Sequence, residues 1–126
     1  MNFKSILLVD DEPDIRQVAE LALSTVGDYD VYTAVDGNDG IKQARALQPD
    51  VILLDVMMPG LDGPGTYAAL KEDPSTVDIP IIFMTAKSQT DEIEALMSLG
   101  AVGVISKPFD PMTLARQVEE LLIDNA

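Results

Sequence analysis

The chain has 126 residues, with apolar residues at 47%, aromatic residues at 5%, and a net charge of −14 from 8 Lys+Arg against 22 Asp+Glu. That length suits one domain with a real, aliphatic core. With no basic cluster to meet a phosphate backbone, no His and no Cys, the sequence argues against direct nucleic-acid binding, histidine-based catalysis and thiolate or disulfide chemistry. Met1-Asn2-Phe3-Lys4 leads straight into a strand-like run rather than a signal peptide, and no apolar stretch approaches the ~20 residues that span a bilayer. The expectation is a cytoplasmic protein with no membrane partner.

In chain order, Ile6-Leu7-Leu8-Val9 reads as a first strand and is followed by Asp10-Asp11. A helix follows, with Pro13 in its first turn, Gly27 at its end and apolar positions at Ile15, Val18, Ala19, Ala22, Leu23 and Val26. Val31 to Val35 reads as the second strand. Residues 38–47 form the second helix on Ile41, Ala44 and Leu47, and residues 51–54 the third strand, ending at Asp55. Pro59-Gly60-Leu61-Asp62-Gly63 is a turn whose Asp62 caps a third helix over 64–72. A fourth strand follows Pro80 and ends at Thr85. A fourth helix spans 89–99 on Ile93, Leu96 and Met97, and a fifth strand spans 101–105. Asp110-Pro111 caps and starts the last helix, with Leu114, Ala115, Val118, Leu121 and Leu122 inward.

Short apolar runs bounded by polar residues are the signature of buried parallel strands. Their alternation with helices predicts an α/β fold: a (βα)5, doubly wound, flavodoxin-like parallel sheet of order 2-1-3-4-5, with residues 1–126 as a single domain. In such sheets the site lies outside the carboxyl ends of the strands. Four strand ends here carry Asp10-Asp11, Asp55, Thr85 and Lys107. Helix capping accounts for one or two acids at the start of the first helix. It does not account for Asp55 at a separate strand end. Carboxylates crowded at one rim repel by roughly 3 kcal/mol per pair, and all-oxygen donors suit Mg2+, or Mn2+, rather than Zn2+. The rim is therefore read as a site for a divalent cation and a phosphoryl group.

Leu8-Val9-Asp10-Asp11-Glu12, Leu54-Asp55-Val56-Met57-Met58-Pro59-Gly60-Leu61-Asp62-Gly63, Met84-Thr85-Ala86, Gly100-Ala101 and Lys107-Pro108-Phe109 closely resemble the receiver domain of bacterial two-component response regulators, in particular the single-domain, chemotaxis-regulator-like kind. The resemblance covers about Lys4 to Leu122. It implies that Asp55 accepts a phosphoryl group from a phosphohistidine, giving an acyl phosphate. It also implies that Asp11, Asp55 and the Met57 carbonyl ligate Mg2+, with Asp10 acting through water. Thr85 would hydrogen-bond the phosphoryl oxygens, Lys107 would pair with them, and the Lys107-Pro108 bond would be cis. The implied partners are a histidine kinase or histidine phosphotransfer protein and a protein target on the helix 4–strand 5–helix 5 face. No enzymatic activity is implied beyond the protein's own phosphorylation and dephosphorylation. The family usually has an aromatic ring three residues before Lys107, where this chain has Val104.

Other readings fit less well. A receiver-like interaction module independent of phosphorylation would not need the intact acids and Lys107. An aspartate-nucleophile phosphatase wants a second acid two residues after the nucleophile, where this chain has Met57. A nucleotide or flavin site wants a glycine-rich loop after the first strand, where Asp10-Asp11-Glu12-Pro13-Asp14 would repel an anion.

Overall fold

The structure is a computed structural model and describes residues 3–87 and 89–124. Five strands, β1 (Ser5–Val9), β2 (Asp30–Ala34), β3 (Val51–Asp55), β4 (Ile81–Thr85) and β5 (Gly103–Ser106), form one parallel sheet of order β2-β1-β3-β4-β5. The helices are α1 (Pro13–Leu21), α2 (Gly37–Leu47), α3 (Gly63–Glu72), α4 (Thr90–Ser98) and α5 (Leu114–Asp124). A π-helical turn, Ala22–Val26, extends α1 and closes with the Gly27 amide donating to the Ala22 carbonyl at 3.3 Å. The predicted fold class and strand order are observed.

Because successive strand residues point to opposite faces, the apolar runs feed two cores. Ile6, Leu8, Leu53, Ile82, Met84 and Ile105 pack under Ala19 and Leu23 of the first helical segment and Leu114, Val118 and Leu122 of α5. Leu7, Val9, Ile52, Leu54, Ile81 and Phe83 pack under Ala44, Tyr67, Leu70 and Leu96 of α2, α3 and α4. Both faces of β3 and β4 are covered, which is why those strands read as unbroken apolar runs.

Several boundaries differ from expectation for local reasons. β2 begins and ends one residue earlier. The Asp30 amide joins the ladder on Lys4, while the Val35 amide is taken by the Asp39 carboxylate at 3.1 Å, leaving Val35 exposed. Val18 and Val26 were expected on the inward stripe but are exposed, and so are Leu47 and Met97, since each stripe is wider than the face its helix buries. β5 begins at Gly103, after a backbone bond from Val102 to Ile81. α5 starts at Leu114 rather than Pro111. Asp110 still organises the approach, its carboxylate accepting from the Met112 amide and its carbonyl from Thr113 and Leu114.

The turn after β3 is built to hold the site. Asp62 caps α3 by accepting from the Gly65 amide at 2.8 Å. The Gly63 amide donates to the Val56 carbonyl at 2.9 Å. A Cβ on Gly63 would lie 2.5 Å from the Asp55 carbonyl oxygen and 2.7 Å from the Val56 Cα, so only glycine allows α3 to start this close to the end of β3.

Candidate phosphoryl and cation site

The register of the sheet sets the rim. Val9 pairs with Leu54, so Asp10 and Asp55 leave neighbouring strands at the same level. Asp55 pairs with Met84, and Thr85 with Ser106, which brings Lys107 to the same edge. The Lys107 amide donates to the Thr85 carbonyl at 2.8 Å, and the Lys107-Pro108 bond is cis as expected.

Lys107 Nζ donates to Asp10 Oδ2 at 2.7 Å and to Asp55 Oδ1 at 3.0 Å, and lies 3.6 Å from Glu12 Oε1. Asp10 is wholly buried and Asp55 is 3% exposed. The second oxygen of Asp10 accepts from the Glu12 amide at 2.9 Å, which folds the chain back so that Asp11 and Glu12 stand over the same pocket. The Asp10 carbonyl accepts from Arg16 Nη1 at 2.7 Å, tying the acidic turn to α1. Asp10, Asp11, Glu12 and Asp55 each offer a carboxylate oxygen, and these four oxygens lie within 4.8 Å of one another.

Two oxygens in this group, Asp11 Oδ1 and Asp55 Oδ2, are buried without a hydrogen-bond partner among the described residues. Buried polar atoms are nearly always satisfied, so this pair marks a place prepared for a donor or a cation. Four carboxylates face one ammonium here. At 4.8 Å and an effective dielectric of about 20, each unscreened pair of like charges repels by about 3 kcal/mol. Burial pushes the Asp55 carboxyl up to about 6. The Lys107 hydrogen bond pulls it down, and the neighbouring Asp10 and Asp11 charges push it up. Burial also works against the Lys107 ammonium, but hydrogen bonds to Asp10 and Asp55 outweigh it and hold its pKa above the ordinary lysine value. A small divalent cation with a preference for oxygen fits this donor set and would relieve both the repulsion and the two orphaned oxygens.

The structure therefore brings together Asp10, Asp11, Asp55 and Lys107. Thr85 is buried at the adjacent strand end, with its hydroxyl turned to its own loop: Oγ1 accepts from the Lys87 amide at 3.0 Å. Met57 lies two residues beyond Asp55 in the segment between β3 and α3 and is exposed. Glu12 and Arg16 were not anticipated as members of the site. Glu12 is legible only as an acid in a capping position, and Arg16 only as one turn of helix further along the same face.

Residues 6–119 match the family model described as the response regulator receiver domain. The chain is 42% identical over 118 residues to the DNA-binding dual master transcriptional regulator RpaA of Synechocystis, covering 93% of this chain and 48% of that protein. It is 41% identical over 123 residues to the phosphate regulon transcriptional regulatory protein PhoB of Pseudomonas aeruginosa, covering 94% and 52%. The chain thus spans about half the length of the curated relatives it matches. Among solved structures it superposes on the chemotaxis response regulator CheY4 of Vibrio cholerae with a TM-score of 0.87 at 31% identity, over 95% of this chain and 99% of that one. A signal receiver domain of a histidine kinase from Syntrophus aciditrophicus gives a TM-score of 0.81 at 30% identity, over 96% and 91%. The family match over most of the length and the shared sheet-and-helix architecture agree, and the chain belongs to the response regulator receiver domains of two-component systems.

Proposed function

We propose that this chain is a phospho-acceptor in which Asp55 takes a phosphoryl group from the phosphohistidine of a cytoplasmic histidine kinase or phosphotransfer protein. The observation that carries the reading is the asymmetry of Asp55: Oδ1 is held by Lys107 at 3.0 Å, while Oδ2 is buried and unpartnered. The unpartnered oxygen is open to the cation, and the one beside Lys107 is the one that attacks as Lys107 turns to the incoming phosphoryl group. In the transfer, an Asp55 oxygen forms a bond to phosphorus and the phosphorus–nitrogen bond to the donor imidazole breaks, its electron pair leaving with the ring. The absence of histidine from this chain fits a donor ring supplied by the partner.

Asp11, Asp55 and the Met57 carbonyl would hold Mg2+, with Asp10 one water removed. When bound, the ion supplies neutralisation of charge on the carboxylates and on the transferring oxygens. Lys107 is already positioned by Asp10 and can pair with a phosphoryl oxygen without moving far. The Thr85 hydroxyl, which donates to the Lys87 carbonyl at 3.3 Å, would exchange that bond for a charge-assisted one to the phosphoryl group, drawing the loop inward. The signal would then pass to a protein partner on the α4–β5–α5 face. Met97 and Ile123 are exposed there, as is Leu99 just beyond α4.

The test is incubation of the protein with phosphoramidate and Mg2+, followed by intact-mass measurement and peptide mapping. One phosphoryl group on Asp55, absent from Asp55→Asn, is expected. Label on Asp10 or Asp11 instead, or no label in a folded protein, would remove this assignment in favour of a phosphorylation-independent interaction module.

A further inference from the structure

Asp11 Oδ1 is buried in the site without a hydrogen-bond partner among the described residues. The direction of this side chain is therefore set by the backbone on either side of it, and both flanking peptide units are pinned. The unit before Asp11 is held through the Asp10 carbonyl, which accepts from Arg16 Nη1 at 2.7 Å. The unit after it is held through the Glu12 amide, which donates to Asp10 Oδ1 at 2.9 Å. The second of these bonds lies within the turn itself. The first comes from outside it, from a half-buried side chain in the first turn of α1. The Arg16 amide closes the same corner by donating to the Glu12 carbonyl at 3.0 Å.

An arginine close to four carboxylates has an obvious ordinary role, which is to offset their charge. Its contacts point elsewhere. Arg16 Nη1 meets a carbonyl rather than a carboxylate, and the ion pairs of the site among the described residues all run to Lys107. A positive charge there also opposes the entry of a divalent cation. The charge of Arg16 and its hydrogen bond therefore act on cation binding with opposite signs. Loss of an outer hydrogen bond that orients a metal ligand typically weakens binding by about 10- to 100-fold, whereas loss of the charge strengthens it.

We infer that Arg16 is a positioning residue for the cation: by fixing the Asp10–Asp11 peptide it aims the Asp11 carboxylate, so that cation affinity depends on a side chain that does not touch the ion. The inference rests on the reading of Asp11 as a cation ligand. It does not depend on which carboxylate accepts the phosphoryl group.

The experiment measures Mg2+ binding by isothermal titration calorimetry in the wild type, Arg16→Met and Arg16→Lys, with urea denaturation of each protein in EDTA. Methionine keeps an unbranched stem and good helix propensity but has neither the charge nor the N–H. Lysine keeps the charge and a donor on a shorter reach. The Kd for Mg2+ should rise by about tenfold in Arg16→Met, with Arg16→Lys between the two. An unchanged Kd in Arg16→Met overturns the inference, and a lower stability in EDTA alongside it would assign Arg16 to the packing of the turn alone. A Kd below the wild-type value also overturns it, because charge would then be the dominant effect of Arg16. So does a loss in Arg16→Lys as large as in Arg16→Met, since affinity would then not follow the donor. Failure of the wild type to bind Mg2+ removes the cation reading and the inference with it, whereas wild-type binding with an unchanged Arg16→Met removes the inference alone.

Discussion

Asp55→Asn tests the electrostatics of the site separately from its chemistry. The wild-type carboxyl ionises near 3.8 in the absence of tertiary contacts and near 6 in the folded protein, chiefly because it is buried. The sign of the linkage follows. Below about pH 4 the group is protonated in both states and contributes no pH-dependent term. Between about 4 and 6 the folded state binds the proton that the unfolded state has released, so stability falls as pH rises. Above about 6 both states are ionised and the whole penalty, about 3 kcal/mol, is present. Asparagine keeps the shape and can still accept from Lys107, while Lys107 keeps its ion pair with Asp10 at 2.7 Å. The variant should therefore match the wild type near pH 4 and exceed it by about 2 to 3 kcal/mol at pH 7.5 in the absence of divalent cations. Urea denaturation in EDTA reads this as a midpoint shift of roughly 1 to 2 M at pH 7.5 that vanishes at low pH. Carboxylates remote from the site titrate in both proteins and cancel in the difference. A gap that is the same at pH 4 and pH 7.5, or an Asn variant less stable than the wild type at neutral pH, would show that Asp55 is not held against its charge.

The remaining expectations concern the cation, the turn and one remote carboxylate. Mg2+ should raise the melting temperature of the wild type, with about 2.7 kcal/mol of stabilisation at a hundredfold excess over Kd. Asp11→Ala, which removes one of the two orphaned oxygens, should lose most of that shift, and a full shift in this variant would exclude Asp11 as a ligand. Gly63→Ala drives a Cβ into the Asp55 carbonyl and should destabilise the fold by about 1 to 3 kcal/mol while slowing phosphorylation. Wild-type values for both would show that the turn relaxes freely. Asp50 ties β1 to the start of β3 by accepting from the Lys4 amide at 2.8 Å and the Ser5 amide at 3.0 Å. The Lys4 amide above all, opposed by partial burial and aided by Ser5, lowers its pKa. Asp50→Ala should destabilise by about 1 kcal/mol at neutral pH. Because the folded pKa is depressed, that difference is complete above the unfolded value near 4 and fades as pH falls through the folded one. A difference that grows on acidification would contradict this.

What the sequence made legible followed from periodicity and from position at strand ends. Ile6 to Val9 and Val51 to Leu54 are apolar at every position because helices cover both faces of the strands, and that continuity identified a parallel sheet before any contact was known. Asp10, Asp55, Thr85 and Lys107 were visible because each terminates such a run. Glu12 was not, since its role comes from a backbone turn closed by the Asp10 carboxylate, a bond that residue spacing does not specify. Arg16 was hidden for the same reason: a long side chain reaching back six residues to the Asp10 carbonyl has no sequence period. The misplaced start of α5 is a third case. Asp110-Pro111 has the composition of a helix start, but the chain makes a turn there before Leu114 begins the helix, and composition does not separate the two. Val18 and Val26 were read as core because apolar spacing says which residues could be buried, not how wide a face the neighbours cover.

The same arrangement that makes the site legible also crowds its charges. Neighbouring parallel strands here end within a residue of one another, so residues at and just past their ends are forced together whatever their charge. A sheet whose central strands β1, β3 and β4 are buried apolar runs can support a local penalty that a small polar patch could not, and Gly63 fixes the geometry at which the penalty is incurred. The site is thus held in a state of unrelieved charge by the core beneath it. Any ligand that supplies positive charge to Asp11 and Asp55 binds with the help of energy already present in the folded protein. A preorganised, destabilised site of this kind responds to binding more strongly than a relaxed one, because the ligand removes a cost as well as making contacts. This is why Asp55→Asn, which removes part of the cost without any ligand, should stabilise the fold and at the same time blunt its response to Mg2+. If instead the variant gained more from Mg2+ than the wild type does, stored repulsion would not be the source of the response.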